Sequence, residues 1–369
     1  MKIGFISNFE IDDKRAWSGT INFLYETLNE EYDIYPIIIK PNFIHRILRK
    51  IVKFVTRKGR TYTAIDQMFY RVQINKKIKK AISSDVDVFF APAASTILGI
   101  ASIPERCKVI YLSDTTYHCM INYYYFNQDV NDMNRYNSLE YNSLHRADYV
   151  IFSSEWAKND AVDYYKVDKN KIYVLPFGAN LEDRYIEHDL HNIIKVLFVG
   201  VEWERKGTEL AIKCIEYLNE VQKKWKFELT IIGLDKPEKY NVGKEIKFLG
   251  RLNKDNLVEY NQMIKCYQES DIFLLPTKAE CAGIVFSEAA MYGLPSFTHS
   301  TGGVMTYVED RETGRGLKIG ATPEKFAKEI LDMLNDNKYK EWSRNSRQKY
   351  EEELNWDCWL ARCKELIQK

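Results

Sequence analysis

The sequence predicts an α/β protein of two doubly wound domains, each a parallel sheet wrapped by helices, facing a central cleft. Three observations carry that reading. Short apolar runs rich in β-branched and aromatic residues recur along the whole chain, too short for helices and apolar on both faces, as buried parallel strands are. Amphipathic stretches of helical length separate them. The 369 residues, 45% hydrophobic and 28% charged, are enough for two or three domains at about 150 residues each and exclude a disordered chain.

The first series of runs is Ile3–Ser7, Ile34–Ile39, Val88–Ala91, Val109–Leu112, Tyr149–Ser153 and Ile172–Leu175. The second is Val196–Gly200, Leu229–Gly233, Ile246–Leu249, Ile272–Leu275 and Ser296–Thr298. Between them, Glu182–Asn192 is a polar stretch after Pro176-Phe177-Gly178 and marks a seam. It assigns residues 1–185 to the first domain and 190–354 to the second. Thr322-Pro323-Glu324 is a helix start with proline at its first position, and the pattern stays helical from there to the end.

In doubly wound sheets ligands bind outside the carboxyl ends of the strands, so the segments that follow each run hold the candidate chemistry. After Ile272–Leu275 comes Pro276-Thr277-Lys278-Ala279-Glu280-Cys281-Ala282-Gly283, then a helical Ile284–Tyr292 closed by Gly293 and Pro295. Backbone amides at that start, around Gly283, Ile284 and Val285, suit a phosphate. Glu280 precedes the turn and Glu288 lies inside the helix, so the two carboxylates can bracket a ligand; the plainer alternative makes both ordinary helix charges. After Val196–Gly200, the cations Arg205 and Lys206 precede Gly207 at the next helix start, a placement suited to a diphosphate.

The first domain offers less. Leu112-Ser113-Asp114 follows its fourth run, with His118 four residues on and Tyr117, Tyr123, Tyr124, Tyr125 and Phe126 nearby. Aromatic faces there suit a sugar or a lipid interface, or pack under a loop; a lone histidine after a strand is more often structural. Asp85-Val86-Asp87 has the form of a metal-binding pair but precedes its strand, at the end away from the expected cleft, and is read as turn chemistry. No metal or other cofactor is expected.

Formal net charge is only +1, yet residues 40–80 hold thirteen Lys or Arg against the single acid Asp66. That segment therefore carries +12 and the remainder −11. Within it Ile44, Ile47, Leu48, Ile51, Val52 and Val55 recur at spacings of three and four, with Arg46, Arg49, Lys50 and Lys53 between them. A basic amphipathic helix of this kind reads as binding an anionic membrane surface, or as a core-packed helix with a solvated basic face. Nucleic acid is not expected as a partner, because no recognition motif accompanies the charge. Seven scattered cysteines without a C-x-x-C pair indicate neither disulfides nor zinc. The start lacks the basic stretch and apolar run of about 7–15 residues of a secretory signal, and no run reaches the ~18–20 residues of a membrane span. A cytoplasmic protein, peripheral at the inner face of the membrane, is expected.

Taken together, Lys206-Gly207, Phe248-Leu249-Gly250-Arg251, Glu280-x7-Glu288, Thr301-Gly302-Gly303 and Glu312-Thr313-Gly314 resemble the retaining nucleotide-sugar glycosyltransferases of family 4, which have the GT-B fold. Order and spacing match over about residues 195–320. More loosely, Trp17-Ser18-Gly19-Thr20 resembles the family's glycine loop. The closing helix with Trp356 and Trp359, about residues 355–369, resembles the GT-B segment that crosses back to the first domain.

The resemblance implies a UDP- or GDP-sugar donor and a glycan or lipid-linked acceptor. It implies that Arg205 and Lys206 stabilise the leaving diphosphate, that Glu288 binds ribose and that Glu280 binds the donor sugar. It further implies that Gly283, Ile284, Val285 and Arg251 line the donor and that Gly19 faces the diphosphate. Asp114 stands where many relatives carry histidine, which points it, with His118 and Tyr117 near it, at the reacting sugar or the acceptor. Val201 occupies a place where relatives often have arginine, a charge that Arg205 would take over. Two alternatives share the motifs: a catalytically silent sugar-nucleotide-binding subunit, and an epimerase or phosphorylase on the same fold.

Overall fold

The computed structural model describes the chain except residues 14, 15, 41, 42, 44, 45, 49, 52–63, 188 and 239; of residues 64–66 it describes the backbone alone. Two compact units emerge, Met1–Leu175 with Leu360–Lys369, and Pro176–Trp359. The polar stretch 182–192 lies within the second.

The first unit is a six-stranded sheet in the order β2-β1-β3-β4-β5-β6, every pairing parallel. Its strands are β1 (Lys2–Ser7), β2 (Asp33–Ile38), β3 (Val88–Pro92), β4 (Lys108–Ser113), β5 (Tyr149–Phe152) and β6 (Ile172–Val174). β1 pairs on both sides, Phe5 meeting Pro36 and Phe90, and its Ile3, Phe5 and Ile6 are fully buried. That is why the run carries no polar alternation. The helices that cover the sheet are α1 (Thr20–Asn29), α2 (Ala64–Ile82), α3 (Val130–Arg146) and α4 (Glu155–Asp163). α3 and α4 begin on Asp129 and Ser154, whose side chains accept the N–H of Asn131 and Ala157.

The second unit repeats the plan in the order β12-β11-β10-β7-β8-β9, again parallel throughout. Its strands are β7 (Ile193–Val199), β8 (Lys226–Ile232), β9 (Ile246–Phe248), β10 (Ile272–Leu275), β11 (Ser296–His299) and β12 (Gly314–Leu317). β12 is missing from the sequence reading because Gly-Arg-Gly-Leu has no apolar or β-branched pattern. Glycine is what the strand needs there, since a Cβ on Gly314 would lie 2.0 Å from the Ser296 carbonyl oxygen. The helices are α5 (Thr208–Val221), α6 (Leu257–Gln268), α7 (Ile284–Met291), α8 (Pro323–Asn335), α9 (Tyr339–Glu352) and the start of α10 (Trp356–Gln368).

The expected closing helix is α10, and its residues from Leu360 onward belong to the first unit. Leu360, Cys363, Leu366 and Ile367 are buried. Lys108 donates to the Ile367 carbonyl at 2.8 Å, Arg362 to the Val174 carbonyl at 3.0 Å, and Lys364 pairs with Glu31 at 2.6 Å. Among the described residues no helix is long and apolar enough to cross a membrane.

Candidate active site

In the second unit the strand order reverses between β7 and β10, the kind of switch point outside whose strand carboxyl ends open α/β sheets bind ligands. After β7 a short turn, Trp203–Lys206, ends at Gly207, which has φ +73° and starts α5. Gly207 is required twice over: the left-handed backbone disfavours a side chain, and a Cβ would sit 2.2 Å from the Pro276 carbonyl oxygen. The contact brings the β7 and β10 loops together, and Lys278 N–H donates to the Arg205 carbonyl at 2.7 Å.

Lys206 is buried and its ammonium pairs with the Glu280 carboxylate. Arg205 lies beside them, Nη1 3.6 Å from Glu280 and donating to the Ala279 carbonyl at 2.9 Å, Nη2 donating to Glu202 at 2.6 Å. The Arg205 hydrogen bond holds the Glu202 carboxyl below the usual range. Two cations and two carboxylates thus balance at rest, and an arriving anion competes with Glu202 and Glu280 for the cations.

The loop carrying Glu280 is tied down on three sides. Gly303 N–H donates to the Glu280 carbonyl at 3.2 Å, and Thr301 Oγ1 to that of Lys278 at 3.2 Å. The buried His299 lies with Nδ1 3.0 Å from the Pro276 carbonyl and 3.2 Å from that of Thr277. Burial lowers the His299 pKa, so the ring is neutral and Nδ1–H is the donor. Gly283, at φ +81°, then opens α7 with no side chain capping its first amides. Within α7, Glu288 is almost wholly buried; Lys254 Nζ lies 2.9 Å from its Oε1 and Tyr267 Oη 2.8 Å from its Oε2. Arg251, after β9, is exposed.

In the first unit the loop before α1 holds Trp17, Ser18 and Gly19 in left-handed conformations, φ +49°, +58° and +88°. For two L-residues that costs about 1–2 kcal/mol each. Trp17 Nε1 donates to Asp114 Oδ2 at 3.1 Å. The structure therefore joins Gly19's loop to Asp114, two candidates from distant parts of the sequence.

His118 goes elsewhere. Its Nδ1 is 2.6 Å from Asp160 on α4, and its ring stacks on Tyr164 at 3.6 Å between centroids. Its N–H donates to Tyr165 Oη at 3.1 Å, and Asp160 also accepts the Thr116 hydroxyl. Tyr117 packs between Tyr125 and Tyr136, and burial pushes its hydroxyl up to about 12. Arg46 and Lys50 are exposed; Arg49 and Lys53 lie outside the described residues, as do Ile44, Val52 and Val55. Asp87 of the Asp-x-Asp pair lies 3.4 Å from Arg106, and no group of three metal-ligating side chains occurs among the described residues.

Two family profiles divide most of the chain, Glycosyltransferase Family 4 over residues 40–183 and Glycosyl transferases group 1 over residues 187–349. The chain belongs to glycosyltransferase family 4. Among curated relatives, the lipopolysaccharide glucosyltransferase WaaG of Escherichia coli K12 is 26% identical over 51% of this chain and 54% of its own. A D-inositol 3-phosphate glycosyltransferase of Corynebacterium glutamicum is 26% identical over 52% and 50%. The family 4 chain thus spans about half the length of the curated relatives it matches.

Solved structures share the GT-B fold with it at low identity. A sucrose-phosphate synthase of Thermosynechococcus elongatus superposes with a TM-score of 0.68 at 14% identity, covering 100% of this chain and 98% of that one. Anabaena HepE, solved in complex with UDP, gives 0.66 at 15% over the full length of both. Several side chains that hold the candidate residues have no mark in the sequence: Lys254, Tyr267 and His299 in the second unit of the family 4 chain, Asp160 in the first. Each holds a motif residue from another element, and nothing in local spacing announces such a partner.

Proposed function

We propose that this chain is a retaining glycosyltransferase that moves a hexose-type sugar from a UDP- or GDP-sugar to a glycan or lipid-linked acceptor in cell-surface polysaccharide or glycoconjugate assembly. The observation that carries the reading is the Lys206–Glu280 pair with Arg205 beside it, set at the carboxyl ends of β7 and β10 on the loop that leads into the uncapped start of α7. Breaking the anomeric bond sends an electron pair to the leaving diphosphate. Lys206, Arg205 and the α7 amides are fixed where that charge grows, so they stabilise the departing anion more than the bound donor. Glu280, freed from Lys206 by the diphosphate, becomes an acceptor for donor-sugar hydroxyls. Asp114, oriented by Trp17, is the first unit's group for the reacting sugar or the acceptor.

With these cations carrying the leaving-group charge, transfer is expected to continue at about its full rate in EDTA. Loss of turnover restored by Mn²⁺ would count against that part of the mechanism. The test of the reading as a whole is a panel of nucleotide sugars in thermal-shift assays, followed by mass spectrometry of products. Free sugar or an isomer formed without acceptor would favour the phosphorylase or epimerase reading, and binding without turnover the silent subunit.

The acceptor side is proposed to rest on an anionic membrane. Phe43, Ile47 and Ile51 are 75%, 42% and 51% exposed at four-residue spacing, with Arg46 and Lys50 exposed beside them. On α2, Met68 and Val72 are 62% and 67% exposed. Apolar side chains that can enter the acyl boundary and cations at about 1 kcal/mol each near anionic lipid suit a lipid-linked acceptor. Sedimentation with phosphatidylglycerol vesicles is expected to fall several-fold on charge reversal at Arg46 and Lys50, and to weaken with salt. Binding that ignores both changes would refute the membrane seat.

A further inference from the structure

Glu288 is the most deeply buried carboxylate of the donor half-site, its side chain 3% exposed and both of its oxygens taken by protein donors. Burial holds the Tyr267 hydroxyl protonated, so Tyr267 donates to Oε2. Lys254 donates to Oε1 and, from the same ammonium, to the Asn180 carbonyl at 3.0 Å. Asn180 is itself fixed, for its Oδ1 accepts Trp356 Nε1–H at 3.1 Å.

An ammonium has three N–H donors in a tetrahedral array. Two are committed to Asn180 and Glu288, so the direction of the third is set and it has no protein acceptor among the described residues. The Lys254 side chain is 25% exposed against 3% for Glu288. The outward member of this buried pair is therefore the cation.

Topology places that cation at the same edge of the sheet as the anion site. Lys254 lies in the loop after β9, at the same carboxyl edge of the sheet as Lys206 after β7 and Glu280 after β10. Its partner Glu288 is five residues into α7, about 7.5 Å along the axis from Gly283. A nucleoside diphosphate with its phosphates on the α7 amides carries a ribose at a comparable remove.

We infer that Lys254 is a specificity-determining residue for the donor, its third N–H donating to a ribose hydroxyl oxygen while Glu288 neutralises and aims it. This rests on reading the start of α7 as the donor site.

The test is isothermal titration of the full chain with UDP and GDP and with their 2′,3′-dideoxy forms. A hydrogen bond from a charged donor makes the ribose form favoured by roughly tenfold or more in the wild type. Lys254→Met is expected to remove most of that preference, with dideoxy affinity staying within about threefold of wild type. Equal weakening of ribose and dideoxy forms would mean that Lys254 only holds its loop, and an undiminished preference would mean that it does not meet the ribose; either overturns the inference.

Because Lys254→Met strands a buried carboxylate, the comparison is repeated in a Glu288→Gln background. There a further several-fold loss of ribose preference supports the inference and its absence refutes it. Lys206→Ala separates the two claims. If it abolishes nucleotide binding while Lys254→Met keeps full ribose preference, the donor-site reading stands and the inference falls. A folded wild-type chain that binds neither UDP nor GDP removes both.

Discussion

Lys206→Ala is expected to lower sugar transfer by about 10²–10³-fold, the usual cost of removing one fixed donor from a site of developing negative charge. Lys206 is buried, its position is set by Gly207 and the Pro276 carbonyl, and it meets the Glu280 carboxylate at rest. Little reorganisation is then needed when a diphosphate takes that carboxylate's place. Arg205, already 3.6 Å from Glu280, limits the charge left unpaired by the substitution, so the variant is expected to fold. A melting temperature near wild type with the rate so reduced would locate the loss in the chemistry. Transfer at the wild-type rate would refute the diphosphate assignment.

The same geometry predicts opposite effects at the partner. Glu280→Gln removes the competitor for Lys206 and Arg205, so a nucleoside diphosphate without its sugar is expected to bind about tenfold more tightly. Transfer from the intact donor is expected to fall, because the neutral amide is a weaker acceptor for sugar hydroxyls. In a double variant the two losses of rate will not add, since the side chains touch. Weaker diphosphate binding in Glu280→Gln would show that Glu280 supports the anion site rather than competing for it.

These predictions begin from residues that local sequence already marked. Eleven of the twelve described strands stand out as apolar runs because a parallel strand is buried on both faces, and β12 does not because its Gly314 serves close approach to β11. Arg205, Lys206, Glu280 and Gly283 were legible because helix starts and strand ends leave short-range signatures.

What stayed hidden is the side chains that hold these groups. Lys254 is 34 residues from Glu288, and His299 steadies a loop 22 residues away through backbone carbonyls that have no sequence signature. His118 shows the converse, a residue prominent in sequence whose Nδ1 faces Asp160, a partner 42 residues on. Only the packing of α4 against the loop after β4 decides where that ring goes.

Glu140 carries the largest expected effect on stability. It lies on α3, 3% exposed, and its Oε1 accepts the Tyr111 hydroxyl at 2.9 Å. Burial is the main cause pushing its carboxyl up to about 7, against the lowering influence of hydrogen bonds from Ser95 and Tyr111. In the unfolded chain the group titrates near its ordinary value of 4.5. The folded state therefore keeps its proton where the unfolded state has lost it. The contribution to stability is intact below about pH 4, is lost progressively as pH rises from there to about 7, and stays lost above. The span corresponds to about 3 kcal/mol. Glu140→Gln retains the shape and an acceptor for Tyr111 but cannot ionise, so it is expected to be more stable than wild type by up to about 3 kcal/mol at pH 8 and nearly equal at pH 4.5. Urea denaturation of both proteins across that range measures the difference directly, other titrating groups cancelling between them. A difference that does not change with pH would show that Glu140 is already ionised in the folded protein at the acid end.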